Sequence, residues 1–204
     1  MKLTRYFQSC LLVEDGDARV LIDPSGQDAD NYDKFGKLDA VIYTHEHMDH
    51  FDPDMAEKFV GDGVKIYANA STAKQMKTQP EIVSDEQEFE VSGLKVQARE
   101  LPHCLMVNGD TSVQNTGYLF AERLFHPGDG KELDGLNVEI LAAPISGPDI
   151  SLHDAYAFTM QVGAKQVVPI HYDFLGGNPD FLARSLNEKG VKTHGLERGQ
   201  SIEL

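Results

Sequence analysis

The heptapeptide Thr-His-Glu-His-Met-Asp-His at residues 44–50 places three imidazoles and the carboxylate of Asp49 in one short stretch, directly after a run of strand-forming residues. Imidazole nitrogen and carboxylate oxygen are the ligands that zinc, manganese and iron prefer. In an extended segment His45 and His47 point to the same side, because side chains alternate along a strand. Asp49 and His50 are adjacent and must diverge from that direction. One short loop can therefore serve two neighbouring metal positions.

Three further candidate ligands lie downstream, each just past a predicted strand with glycine or proline nearby: His103, Asp129 and His171. Loops at strand ends are where rigid scaffolds place chemistry. Taken singly, each has a plainer interpretation. His103 could be an ordinary loop imidazole, Asp129 a turn residue in Pro-Gly-Asp-Gly, and His171 a capping or core histidine. Jointly they complete a site for two metal ions.

Composition and charge narrow the class of protein. The chain has 204 residues, 41% hydrophobic and 25% charged, which fits one soluble globular domain spanning residues 1–204. A net charge of −15 repels phosphate backbones, so we expect no nucleic-acid partner. No apolar run approaches the ~20 residues that span a bilayer, and none near the start is long enough for a signal peptide. We therefore expect a cytoplasmic protein without a membrane partner.

The two cysteines, Cys10 and Cys104, have neither the spacing of a zinc knuckle nor that of a disulfide framework. We expect two buried free thiols, the usual state of cysteine in a cytosolic chain. A redox-sensitive role for Cys104, beside a candidate ligand, is the alternative.

Strands and helices are predicted in both halves of the chain, which gives an α/β layered fold. Apolar runs and alternating patterns predict strands over 3–23, 38–43, 64–68, 81–100, 118–125, 138–143 and 166–170. Capping signals predict helices over 53–60, over about seven residues from Ser71, over 151–163 and over 179–189. Residues 24–37 and 101–117 are predicted loops, and a short strand pair, 191–194 with 201–204, is expected to close the chain.

The motif at 44–50, followed by His103, a Gly-Asp pair at 128–129 and a final His171, resembles the metallo-β-lactamase fold superfamily in order and spacing. The resemblance covers nearly the whole chain. Pro-Ile-Ser-Gly at 144–147 and Pro-Ile-His-Tyr at 169–172 further resemble a branch of small bacterial hydrolases. That branch includes proteins similar to ascorbate-6-phosphate lactonase.

This resemblance implies a four-layer αββα sandwich, two β-sheets flanked by helices, with two divalent metal ions at one edge. Zinc is the expected metal, and manganese and iron stay open. The implied ligands are His45, His47 and His103 for the first ion, Asp49, His50 and His171 for the second, and Asp129 as a bridge between them. Asp23, after the third strand, would support the site through a hydrogen bond.

The implied activity is hydrolysis of a small ester, lactone or phosphoester by a hydroxide held between the two ions. Asp49 would orient that hydroxide and carry a proton. Tyr172, beside His171, could donate a hydrogen bond to the substrate oxygen, although a core or rim tyrosine is the plainer interpretation. The expected partner is a small-molecule substrate, and a homo-oligomer stays open.

Two other functions fit the same residues. The ligand set also suits an iron-dependent oxidoreductase, because carboxylate and imidazole bind iron. A non-enzymatic metal-binding protein fits less well, since structural zinc sites are usually closed and rich in cysteine. We expect the three remaining histidines to be non-ligands: His126 beside the Pro-Gly-Asp turn, His153 lining the pocket, and His194 exposed to solvent.

Overall fold

Two seven-stranded β-sheets build the chain in the computed structural model, which describes residues 1–110 and 112–204. With strands numbered in chain order, the first sheet contains β1 (Lys2–Arg5), β2 (Leu11–Asp15), β3 (Ala18–Ile22), β4 (Ala40–Tyr43), β5 (Lys65–Ala68), β6 (Glu81–Ile82) and β14 (Ser201–Glu203). Their order across the sheet is β14-β1-β2-β3-β4-β5-β6. The pairs from β14 to β3 are antiparallel, and those from β3 to β6 are parallel.

The second sheet repeats this plan. It contains β7 (Glu88–Val91), β8 (Leu94–Glu100), β9 (Thr116–Phe120), β10 (Leu124–His126), β11 (Ile140–Pro144), β12 (Gln166–Ile170) and β13 (Lys192–Thr193). Their order is β13-β12-β11-β10-β9-β8-β7, antiparallel from β7 to β10 and parallel from β10 to β13. Strands β8, β10, β11 and β12 therefore run in the same direction, and their carboxyl ends lie at one edge.

Helices cover the outer faces of both sheets. They are a 3-10 helix (Gly26–Lys34), α1 (Pro53–Gly61), α2 (Ala70–Ala73), α3 (Leu152–Gln161) and α4 (Pro179–Asn187). Asp52 caps α1 by accepting a hydrogen bond from Met55 N at 2.7 Å, and Ser151 caps α3 in a reciprocal bond with Asp154. Every helix in the described ranges is too short or too polar to cross a bilayer.

Three buried clusters show the layers. One lies between the sheets and joins side chains such as Ile22 and Ile42 to Phe120 and Ile170. The other two lie between each sheet and its own helices. Strand β4 serves two clusters at once, because Ala40 and Ile42 face the partner sheet while Val41 and Tyr43 face α1. The four-layer αββα sandwich is thus confirmed.

Three local predictions were wrong. Residues 24–37 include a 3-10 helix, which brings Asp28 into a buried position instead of leaving a polar loop. The helix expected from Ser71 is capped by Asn69 and ends after four residues. The two C-terminal strands do not pair with each other, because β13 pairs with β12 and β14 pairs with β1 in the other sheet.

Candidate metal centre

The loop after β4 turns back on itself at once. His50 N and Phe51 N both donate to the carbonyl of His47, at 2.9 and 2.8 Å. This turn separates the histidines of the motif into two directions. His45 and His50 are fully buried, while His47 and Asp49 keep some exposure to solvent.

The seven predicted ligands converge into two adjacent groups. Within each group, one ligand atom of every residue lies within 4.8 Å of the others. One group is His45, His47, His103 and Asp129, and the other is Asp49, His50 and His171. The Nε2 atoms of His45 and His103 are 3.3 Å apart. His171 Nε2 lies 3.2 Å from an oxygen of Asp49. The structure therefore brings together all seven candidates, from four separate loops.

Asp129 lies between the two groups. Its Oδ1 atom is 3.1 Å from His50 Nε2 and 3.3 Å from His171 Nε2. Its Oδ2 atom is 3.5 Å from His103 Nε2, on the other side. One carboxylate oxygen faces each group, which is the position that a bridging ligand requires.

The imidazoles are held by their other nitrogen. The Nδ1 atom of His103 donates to the carbonyl of Cys104 at 2.6 Å, and that of His171 donates to the carbonyl of Ser146 at 2.5 Å. His45 Nδ1 donates to the hydroxyl of Thr44 at 3.0 Å. Fixing Nδ1 sets the tautomer and leaves Nε2 free to bind a metal.

Asp23 joins these supports together. It follows β3, beside the motif loop that follows β4, because β3 and β4 are parallel neighbours. Its carboxylate accepts hydrogen bonds from Thr44 N at 2.8 Å, Thr44 Oγ1 at 2.7 Å and His50 Nδ1 at 2.8 Å. One buried carboxylate therefore orients His50 directly and His45 through Thr44.

The cluster leaves polar atoms without partners in a way that fits metal ions. Among the described residues, His50 Nε2, His171 Nε2 and Asp129 Oδ1 are buried and have no hydrogen-bond partner. They lie close together, yet none points at another in hydrogen-bond geometry. Leaving such atoms unpaired costs about 1–3 kcal/mol each, and more for charged groups. Lone pairs that converge on a shared point, with nitrogen and carboxylate donors, suit a divalent cation.

The shifts in pKa reflect the burial of these imidazoles and carboxylates beside one another. Burial lowers the pKa of His45 well below its ordinary 6.5, so its imidazole is neutral, as a ligand must be. Burial also acts against protonation of His50, but the carboxylates of Asp129 and Asp23 outweigh it and raise its pKa. Burial would raise the pKa of Asp129, yet the imidazoles of His171 and His50 hold it well below 3.8.

Gln8 is a site residue that the sequence did not reveal. Its side chain is 1% exposed, and its Nε2 donates to Asp49 Oδ2 at 3.2 Å. Its Oε1 accepts from Asp173 N at 2.9 Å and Phe174 N at 3.3 Å, and its carbonyl accepts from His171 N. Gln8 thereby links the Asp49 carboxylate to the loop after β12. Nothing in the spacing of the sequence indicates these contacts.

The remaining candidates lie outside the two groups. The hydroxyl of Tyr172 donates to the carbonyl of Leu196 at 2.9 Å, and its ring lies under the guanidinium of Arg5. Donation to a substrate stays a prediction, and it would require that bond to break.

Cys10 and Cys104 are both buried free thiols, as predicted. Burial raises the pKa of Cys104 to about 12, which disfavours the reactive thiolate.

The three other histidines have local partners or face solvent. His126 is buried and donates through Nε2 to the carbonyl of Ser9 at 2.9 Å. His153 is exposed. His194 was predicted to be solvated, but it is 7% exposed and its Nε2 pairs with Gln166 Oε1 at 2.9 Å. The prediction failed because β13 places this residue beside β12.

The chain is similar to proteins of one family. A family profile described as a beta-lactamase superfamily domain matches residues 2–171. Protein Rv0786c of Mycobacterium tuberculosis is 31% identical over 178 residues, which is 84% of each chain. A Bacillus pumilus protein described as a UPF0173 metal-dependent hydrolase is 27% identical over 242 aligned positions, covering 100% of both chains.

Among solved structures, Igni18 from the archaeon Ignicoccus hospitalis, described as a novel metallo hydrolase, superposes with a TM-score of 0.81. The match covers 98% of this chain and 97% of Igni18, at 21% sequence identity. At that identity the likeness is one of fold.

Proposed function

This chain belongs to the family described as the beta-lactamase superfamily domain and is a metal-dependent hydrolase, and we propose that it cleaves a small ester, lactone or phosphoester with water. One observation carries the proposal. Seven nitrogen and oxygen donors converge on two adjacent positions, and three of their buried atoms lack a partner among the described residues. Burying these polar groups without partners costs folding free energy, and the binding of cations would offset that cost.

Each group of donors would hold one divalent cation, with Asp129 contributing an oxygen to both. The first cation would take His45, His47 and His103, and the second would take Asp49, His50 and His171. We propose zinc for this nitrogen-rich set, with manganese and iron as alternatives. When bound, the cations lower the pKa of water toward neutrality and polarise the carbonyl or phosphoryl oxygen of the substrate.

We propose that Asp49 moves the proton. Its carboxylate is partly exposed, so solvent and substrate can reach it, and Gln8 fixes its orientation. In hydrolysis the oxygen of water bonds to the acyl carbon or phosphorus and the bond to the leaving oxygen breaks. Asp49 would accept a proton from the attacking water and return it to that leaving oxygen. An acid and an alcohol result, or one hydroxy acid when the substrate is a lactone.

Metal analysis combined with a substrate screen tests this function. The purified chain should contain zinc or manganese, and it should turn over at least one member of a panel of esters, lactones and phosphoesters. Chelation should abolish turnover, and readdition of metal should restore it. A coloured, iron-loaded chain with no hydrolytic turnover would instead favour an oxidoreductase.

A pair of matched variants separates the site from the fold. Asp49→Asn should lose most of the turnover and keep the thermal unfolding midpoint of the metal-free protein within a few degrees. Asp54→Asn is the control, since Asp54 lies nearby in sequence but its side chain is 90% exposed. Turnover by Asp49→Asn equal to that of Asp54→Asn on every substrate would reject the proposed role.

A further inference from the structure

Most exposed apolar side chains of the described residues lie on the loops that carry the candidate ligands. The described part of the chain has eight large hydrophobic residues that are exposed, and five of them lie on loops that also carry candidate ligands. Those five, which we term the apolar rim, are Met48 (72% exposed), Leu105 (45%), Val107 (92%), Phe174 (52%) and Leu175 (60%). Single exposed apolar residues are ordinary, whereas a group around one site indicates a binding surface.

Contacts tie the apolar rim to the centre. Met48 lies between the candidate ligands His47 and Asp49. The ring of Phe174 packs edge-on against Phe7 at 5.1 Å, and the next residue, Gln8, bonds to Asp49. On the loop that carries His103, Cys104 N donates to the carbonyl of Asp129 at 3.2 Å. Leu105 follows Cys104 directly, and Val107 follows two residues later.

Apart from the cations that the centre would hold, the charges around it do not favour an anionic substrate. The loops at 44–50, 101–115 and 171–178 contain several acidic residues and not one lysine or arginine. The neighbouring cations are already paired. Arg5 and Arg198 both contact the carboxylate of Asp173. Beyond a metal ion, side chains that bind a phosphate group are normally arginine, with its fixed fork of donors, or lysine, with its point charge.

A third positively charged side chain near the site is also paired with carboxylates. Lys131 Nζ lies 2.8 Å from a carboxylate oxygen of Asp149 and 3.7 Å from one of Asp154. A depression of about 510 Å³ opens beside His103, and its described lining includes Glu100 but no lysine or arginine. With a net charge of −15 on the whole chain, the long-range field also disfavours an approaching anion.

We propose that the apolar rim holds the hydrocarbon part of an uncharged ester or lactone, and that phosphorylated compounds are poor substrates. This inference rests on the proposed function and narrows it, because phosphoesters leave the set of expected substrates. The metal centre would act on the acyl carbon while the rim covers the attached chain. The bond changes are those of ester hydrolysis described above, with water as the only co-reactant.

A homologous substrate series tests the inference on the metal-loaded full-length chain. For p-nitrophenyl acetate, butanoate and octanoate, kcat/KM should rise with chain length. From butanoate to octanoate we expect about a 15-fold rise, because four added methylenes that are half covered each contribute about twofold. p-Nitrophenyl phosphate should be turned over with a lower kcat/KM than the acetate. Equal values along the ester series, or a preference for the phosphate, would overturn the inference.

Two variants locate the effect. The double variant Val107→Ser with Phe174→Ser removes two exposed side chains of the rim and should reduce the octanoate preference severalfold. Phe181→Ser is the matched control, since Phe181 is 58% exposed on α4 and outside the rim. It should keep the wild-type chain-length dependence. An unchanged preference in the double variant would overturn the inference. A wild-type dimer that dissociates in sedimentation only when these two side chains are replaced would assign the rim to contact between copies, and it would also overturn the inference.

Calorimetric binding of ketones separates this inference from the proposed function. 2-Octanone and 2-butanone cannot be hydrolysed, so their binding to the metal-loaded chain does not depend on turnover. Tighter binding of 2-octanone, lost in the double variant, supports the rim even if none of the esters is cleaved. Absence of all turnover would reject the proposed function alone. Equal binding of the two ketones would overturn the inference, whatever the turnover result.

Discussion

Replacing Asp28 with asparagine should change how the stability of the protein depends on pH. Asp28 is fully buried on the 3-10 helix, and its carboxylate accepts hydrogen bonds from Phe7 N at 3.1 Å and Ser25 N at 3.3 Å. Burial raises its pKa from 3.8 to about 6, because these hydrogen bonds offset only part of the lost hydration.

The sign of the effect follows from proton linkage. A carboxyl group whose pKa is raised on folding binds a proton more tightly in the folded than in the unfolded chain. Its contribution to the free energy of unfolding is therefore complete below about pH 4 and declines as pH rises to about 6. One pKa unit corresponds to about 1.4 kcal/mol, so the decline amounts to about 3 kcal/mol.

Urea unfolding followed by circular dichroism at pH 4, 5, 6 and 7 measures this decline. The useful quantity is the unfolding free energy of Asp28→Asn minus that of the wild type, because the other titrating groups cancel in the difference. The variant loses one acceptor, which costs about 1–3 kcal/mol at every pH. From pH 4 to pH 7 the difference should rise by about 3 kcal/mol in favour of the variant.

Asp30→Asn provides the control, since Asp30 lies two residues along the same 3-10 helix and is exposed. Its difference from the wild type should be nearly constant over this pH range. Parallel stability curves for the wild type and Asp28→Asn would refute the reasoning, because they would mean that Asp28 carries no excess proton in the folded state.

Three further predictions concern the supports of the centre. Gln8→Leu removes the donor to Asp49 and should reduce kcat more than it changes KM, as steady-state kinetics on any cleaved substrate will show. Asp23→Ala removes an acceptor of three buried hydrogen bonds and should weaken metal retention about 10–100-fold in competition with a chelator; unchanged retention would contradict its role. Gly128→Ala would place a Cβ 2.2 Å from Asn115 Oδ1 at a φ of +60°, and calorimetry should show at least about 2 kcal/mol of destabilisation.

Much of the fold could be predicted because its signals are local. The apolar runs predict the main buried strands, such as β4 and β12, and the Asp-Pro and Asn-Pro pairs predict the starts of α1 and α4. Short elements were harder. The 3-10 helix at Gly26–Lys34 has few apolar residues, and it is stabilised by contacts of Asp28 with distant backbone rather than by its own pattern.

The site divided in the same way. The seven candidate ligands could be named from residue type, order and position after strands, and the structure brings them together. Their role in binding metal stays a prediction. The contacts of Gln8 and the bond from Tyr172 to Leu196 could not be anticipated, because each joins residues that are far apart along the chain.

Residue type and local alternation are enough to identify which side chains can coordinate a cation and to show that these side chains follow strands, because both are properties of neighbouring residues. Three features depend on the folded chain: two sheets bring four loops to one edge, Asp129 lies between the two groups, and the same loops carry the apolar rim. This convergence depends on strand order and on the packing of the sheets. Those are settled by burial of apolar surface across the whole chain, and no local pattern encodes them.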